Sequence, residues 1–190
     1  MRGRLLLRYA LIVWVTLFMG QLWAKDTSLV LYRPFIKAQQ SSQFIRDKKQ
    51  GECLTPSKIL TRSNAWQCAS GSTILDPCFV LNRSNGQVVI CPDNPWAHHA
   101  NQLVLKQSVI LPADETQDIS KDYPWAIELI NGSRCIHDVS QESIDNIPVR
   151  YQCNDGAQLI GHIHRCNNEW QMLRVEQGVT NEMVLTKVFY

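Results

Sequence analysis

Trp66-Gln67-Cys68-Ala69-Ser70-Gly71 recurs as Tyr151-Gln152-Cys153-Asn154-Asp155-Gly156, and each copy follows an earlier cysteine, in Gly51-Glu52-Cys53 and in Gly132-Ser133-Arg134-Cys135. In each copy an aromatic residue stands two places before a cysteine and a glycine three places after it. The duplication therefore reads as two related, disulfide-stapled β units. Paired cysteines persist where the surroundings are oxidising, so the repeat also argues for work outside the cytoplasm.

The chain has 7 cysteines, at positions 53, 68, 78, 91, 135, 153 and 166, so at least one cannot pair within the chain. Sequence leaves the connectivity open. Corresponding positions in duplicated units nevertheless suggest corresponding bonds, Cys53 with Cys68 and Cys135 with Cys153, and Cys78 with Cys91 completes a local ladder. Closing loops of about 15 residues would stabilise each by on the order of 3 kcal/mol. Cys166 is left over, as a free thiol or as the bridge of a disulfide-linked dimer.

The N-terminus argues for the same compartment. Arg2, Arg4 and Arg8 precede an apolar run from Tyr9 through Met19, and the polar Lys25, Asp26, Thr27 and Ser28 follow Ala24. That is the grammar of a cleaved export signal over residues 1–24. The run is short for a bilayer span, so no membrane span is expected after its removal. Loss of the three arginines leaves 16 Lys and Arg against 17 Asp and Glu. A near-neutral chain whose densest basic cluster, Arg46, Lys48 and Lys49, is broken by Asp47 does not look like a nucleic-acid binder.

Along the remaining chain, residues 25–50 form an N-terminal segment with an edge-strand pattern from Ser28 to Phe35. A polar helix or loop from Lys37 to Gln50 follows. Strand-like runs then recur at Phe79 to Leu81, Val88 to Cys91, Leu103 to Leu111, Trp125 to Ile130, Val149 to Cys153, Trp170 to Val175 and Met183 to Tyr190. Turn signals such as Asn85-Gly86 and Asn131-Gly132 separate them. Short strands without long helical periodicity predict an all-β sandwich or barrel-like domain, with units at 51–111 and 124–190 and an acidic linker at 112–123. Pro95-Trp96 and Pro124-Trp125 invite ligand stacking. Large aromatics supply so much of the buried area in small domains that a core position between the lobes is the expectation.

The most chemically suggestive string is Gly161-His162-Ile163-His164-Arg165-Cys166. In an extended strand, alternation puts His162, His164 and Cys166 on one face, a donor set suited to zinc or copper, with His98, His99 or His137 as a fourth ligand. Asn167 and Asn168 mark a turn directly after it, so an ordinary hairpin tip explains the same residues. No Gly-x-Ser-x-Gly elbow is present, and Ser70, Ser72 and Ser133 lie at turn positions. The carboxylate pair Asp114 and Glu115 falls in the linker rather than across a cleft. No catalytic residue is assigned.

The order Gly51, Glu52, Cys53, then Asn64, Ala65, Trp66, Gln67, Cys68, then Asp76, Pro77, Cys78, Phe79, then Cys91, Pro92 resembles an uncharacterised family of small secreted or lipid-anchored bacterial proteins. Pro124, Trp125, Ala126, Cys135, Tyr151, Cys153 and Gly156 continue it. The resemblance implies envelope or extracellular residence and the three sequential disulfides, and brings no activity. This chain lacks a lipidation cysteine and adds Cys166. Tyr151 to Gly156 also looks like the opening strand of bacterial inhibitors of C-type lysozyme. Their Ser-Gly-x-x-Tyr loop is not matched by Ser70, Gly71, Ser72, Thr73 and Ile74. The expectation is a secreted or periplasmic, non-enzymatic binding protein whose partner is a protein or glycan of the envelope, with periplasmic zinc or copper binding and lysozyme inhibition as alternatives.

Overall fold

The computed structural model describes residues 26–34, 44–81, 84–110 and 122–190. The segment 1–24 expected as a leader and nearly all of the segment 112–123 expected as a linker lie outside those residues. Thirteen strands are formed: β1 (Ser28–Val30), β2 (Ile45–Pro56), β3 (Ala65–Ser70), β4 (Thr73–Val80), β5 (Val88–Pro92), β6 (Ala100–Leu105), β7 (Ala126–Leu129), β8 (Arg134–His137), β9 (Ser143–Ile144), β10 (Ile147–Cys153), β11 (Gln158–Cys166), β12 (Glu169–Glu176) and β13 (Val179–Phe189). The fold is all-β and the units are closed barrels rather than a sandwich.

Strands β2 to β6 form a five-stranded meander that closes by parallel pairing of β2 with β6. The second barrel runs β7, β8, β10, β11, β12, β13 and closes by antiparallel pairing of β13 with β7. Closure satisfies the backbone groups that an open edge would expose. The expected helix or loop between Lys37 and Gln50 gives way to strand from Ile45 onward. Its polar residues lie on a barrel surface, which accounts for the missing apolar period. Residues 37–43 lie outside the described residues.

The five-stranded barrel is inserted into the other. β1 pairs in parallel with the end of β13, so the N-terminal segment is shared between the barrels instead of preceding both. Thr27 fixes this docking. Its amide donates to Asn168 O (2.7 Å) and its hydroxyl to Leu185 O (2.7 Å), and the hydroxyl accepts from the Trp170 amide (2.8 Å). The chain then leaves to build the first barrel before returning at residue 122.

An aromatic seam joins the two. Tyr32, Phe79 and the fully buried Trp125 pack with ring centroids 5.2 to 5.8 Å apart, beside Leu60 and Ala65. Arg62 caps it, donating to Tyr32 O (2.7 Å) and Tyr190 O (3.3 Å) with its guanidinium over Phe79. Burial, with Arg33's charge as a lesser cause, lowers the Arg62 pKa to about 10. Trp96, on the loop before β6, reaches across to stack edge-on against Phe189 (5.1 Å), donates to Glu128 (3.3 Å) and carries Arg134 over its ring. Both tryptophans therefore serve the inter-barrel contact, Trp125 from a fully buried position and Trp96 from a half-buried one.

Candidate functional site

Three disulfides hold neighbouring strands: Cys53–Cys68 across β2 and β3 and Cys135–Cys153 across β8 and β10, each at directly opposed residues, and Cys78–Cys91 across β4 and β5. The ladder connectivity of the sequence reading is the one formed. Trp66 packs in the apolar cluster of the first two, and Tyr151 in that of the third. Gly71 and Gly156 both adopt positive φ in the following turn, a conformation that costs a residue with Cβ more than glycine. The leading glycines are not equivalent. Gly132 sits in a turn at φ 86°, whereas a Cβ on Gly51 would lie 2.8 Å from Leu103 Cδ1, so only close approach explains it.

Alternation in β11 places His162, His164 and Cys166 on one exposed face, with Ile163 and Arg165 turned inward. Cys166 stands opposite Glu169 across the Asn167-Asn168 turn. His162 Nδ1 hydrogen-bonds the Tyr123 hydroxyl. His98 and His99 are exposed on the loop before β6, and His137 ends β8 against Tyr151. Among the described residues no three His, Cys, Asp or Glu side chains converge as a metal-holding group.

The six-stranded barrel has two unlike ends. At one, Arg174 bridges Asp155 (2.9 Å) and Glu176 (2.6 Å), and Ser133 also donates to Asp155. Burial alone would raise the Asp155 pKa. Hydrogen bonds from Ser133, the Ala157 amide and Arg174, with the guanidinium charge, outweigh it and hold the carboxyl below its usual range. This end is satisfied from within.

The other end collects Tyr123, His137, Arg150, Tyr151, Arg165 and Tyr190. Two bulges shape it. β10 has one residue more than β11 between Val149 and Tyr151, and that residue is Arg150. β11 in turn has two residues more than β12 between Ile160 and His164, around Gly161 at φ 76°. Bulges at a barrel rim re-aim side chains, and here Arg150 lies over the Tyr123 ring, 5.0 Å from its centroid. Arg165 is occupied, donating to Asp122 O (2.6 Å) and Tyr190 Oη (3.4 Å). Tyr151 donates to Pro124 O (2.8 Å), and burial drives its pKa well up. Burial, then Arg150's charge, lowers the His137 pKa against the opposing pull of Asp138. Sequence reading named His137 and Tyr151 separately and missed Arg150 and Tyr123. Only the bulge brings these together, and no local pattern announces it.

No protein-family model, curated protein or solved structure matches the chain. Its resemblance to cysteine-patterned secreted proteins therefore rests on the motif residues alone.

Proposed function

We propose that this chain is an exported, non-enzymatic binding protein of the bacterial envelope or secreted fraction, which presents preordered loops and a barrel mouth to a protein or glycan partner. The supporting observation is the stapling. Each disulfide crosses adjacent strands of a closed barrel, and the barrels share an aromatic seam, so little ordering entropy is lost when a partner docks. Three intramolecular disulfides fit an oxidising compartment. Among the described residues no helix is long and apolar enough to cross a membrane.

The test immobilises the protein lacking its first 24 residues, oxidised or reduced, and offers it envelope extract and culture fluid. Saturable capture of one partner by the oxidised form alone, with the partner chemically unchanged after incubation, supports the proposal. Conversion of the partner overturns the non-enzymatic part, and equal capture by reduced protein overturns the platform.

The common exposed face of His162, His164 and Cys166 favours zinc or copper binding as a second reading. Stoichiometric metal in protein from its native compartment, lost in Cys166→Ser, is its signature. For lysozyme inhibition, the two suggestive segments stand on different barrels, Ser70-Gly71 in the β3–β4 turn and Tyr151 to Gly156 from β10 into β11.

A further inference from the structure

Closure of the smaller barrel leaves part of β2 unpaired on one side. Strand β6 pairs with β2 from Ile45 to Gly51, while β3 pairs with it only from Glu52 to Pro56. Among the described residues the hydrogen bond to the uncovered side comes from the Ser70 hydroxyl, which donates to Gln50 O (3.0 Å). The Gly51 carbonyl turns the other way and accepts the Lys106 amide (3.2 Å). Successive residues of a strand present their backbone groups to opposite edges, so Lys48 and Gln50 share the open side while Lys49 and Gly51 face β6. An open edge of this kind is a template for a further strand.

The larger barrel shows how such a length is filled. Strand β13 runs on past the start of β12, and β1 lies in line with β12 to pair with Lys187, Val188 and Phe189, while β7 holds their other side. Thr27 anchors β1 at the β11–β12 turn, through Asn168 and Trp170. In the smaller barrel the analogous place beside β2, in line with β3 and next to its turn into β4, has no strand among the described residues.

Charge selects what fits there. Arg46, Lys48, Lys49 and Gln50 are exposed, and the three cations stand against one carboxylate, Asp47, which lies 3.5 Å from both Arg46 and Lys49. Lys48, on the open side, makes no ion pair among the described residues. Lysines on an edge keep a second copy of the same edge away. They favour a strand of opposite sign, because opposite charges facing one another across neighbouring strands are stabilising and like charges are not. We infer that the open side of β2 from Arg46 to Gln50 docks an extended acidic segment of a partner protein, which adds a strand in line with β3 through the backbone groups of Lys48 and Gln50 and sets its carboxylates against Arg46, Lys48 and Lys49. In strand addition, main-chain hydrogen bonds supply affinity and alternate side chains supply specificity. The open length, roughly 20 Å, suits a segment of about six residues. The open part of β13, Val179 to Met183, offers Glu182 and no cation, so it does not compete for such a segment.

This inference deepens the binding reading and rests on it for the partner's being a protein. Oxidised protein lacking residues 1–24 is titrated with a blocked peptide of alternating glutamate and threonine, with its lysine counterpart, with a glutamate peptide interrupted by proline, and with polygalacturonate, an acidic glycan without amides. Affinity is read by calorimetry and the site by amide hydrogen exchange.

The glutamate–threonine peptide is expected to bind saturably, to slow exchange of the Lys48 and Gln50 amides, and to bind more weakly as salt is raised. Lys48→Glu with Lys49→Glu is expected to weaken it by about tenfold or more with the melting temperature unchanged, and Lys48→Arg with Lys49→Arg to retain it. Absence of saturable binding to the unaltered protein overturns the inference, as does protection confined to β1 or β13. Equal or tighter binding of the lysine peptide overturns the charge selection. Equal or tighter binding of the interrupted peptide or of the glycan overturns strand addition. Failure here with successful capture of a partner from envelope extract removes this edge alone, whereas saturation here with failed capture removes the binding role and keeps the edge.

Discussion

The five-stranded and six-stranded barrels are one meander in two states of closure. Strands β2 to β6 correspond in order to β8, β10, β11, β12 and β13, with the first disulfide at the same place and a positive-φ glycine in the same turn. In the smaller barrel the first and last strands pair directly and in parallel. In the larger one β7 enters between them and makes both contacts antiparallel. One added strand widens the barrel, which then admits a larger apolar core including Tyr151, Trp170, Met172 and Tyr190.

The second disulfide shows what the extra width replaces. Trp66 pairs with Cys78, which is bonded to Cys91, whereas the corresponding Tyr151 pairs with Leu159, and Leu159 with Arg174. An apolar residue and an ion-paired arginine thus stand where the smaller barrel has its second staple. Cys166 is not a remnant of that staple, because it lies on the outer face and farther along β11. The smaller barrel closes by β2–β6 pairing and carries two of the three staples between its other strands. The larger depends on burial, and it has room for a rim that is not filled from within.

The largest expected effect tests whether the barrels fold as one body. Trp125→Ala empties the centre of the seam and is expected to cost about 3–5 kcal/mol, with hydrogen exchange rising in β4 as well as in β7. Loss of protection in β7 alone would show that the barrels are independent. Next come the staples. Cys78→Ala with Cys91→Ala is expected to cost about 3 kcal/mol, with exchange rising in β4 and β5 while β11 to β13 keep their protection. Uniform loss across both barrels in denaturant unfolding would erase the proposed division between a doubly stapled barrel and one held mainly by packing.

A smaller effect is expected for Tyr151→Phe, which leaves the Pro124 carbonyl without its buried donor and should cost about 1–3 kcal/mol in chemical denaturation. No loss would mean that the larger barrel is held by packing alone. The smallest effect is a pH dependence of opposite sign in the two barrels. Burial raises the Asp76 pKa in the smaller barrel, outweighing its bonds to Ser57, Lys58 and Gln67. Its contribution is therefore most favourable below the unfolded value near 3.8 and declines as pH rises through the folded one. The lowered Asp155 pKa works the other way, stabilising the larger barrel above the unfolded value and ceasing to do so as pH falls through the folded one. The lowered His137 pKa adds to this, its contribution fading as pH falls from about 6.5. Exchange at pH 3 against pH 5 is expected to shift protection toward the smaller barrel. Asp76→Asn and Asp155→Asn are each expected to abolish their barrel's share of the shift, and an unchanged shift in both would refute the two signs.

Much of the architecture was legible because it is local. Strands such as β5 (Val88–Pro92) and β12 (Glu169–Glu176) announce themselves by apolar runs between turns, and Asn85-Gly86 carries the positive φ of a tight turn at both residues. Strand β2 escaped notice because its outward residues, among them Arg46, Lys48 and Glu52, conceal alternation behind charge. Strand β3 was seen as repeat rather than as strand. At the rim, His137 and His162 drew attention as imidazoles, whereas no motif singled out Arg150. A bulge is a mismatch of register between two strands, and neither strand shows it alone.

The chain by itself indicated an all-β fold, favoured local pairing among six of its cysteines through the repeat while leaving the connectivity open, and marked turns such as Asn85-Gly86 and Asn131-Gly132. These follow from side-chain alternation, positive-φ residues and loops short enough to close on themselves, all properties of contiguous residues. Only the tertiary structure decided that β1 belongs to the later barrel, that β7 would separate β8 from β13, and that Arg150 would face Tyr123 without a counter-charge. Each of these depends on which distant strand competes best for an edge, and that is settled by the burial and hydrogen bonding of the whole closed sheet.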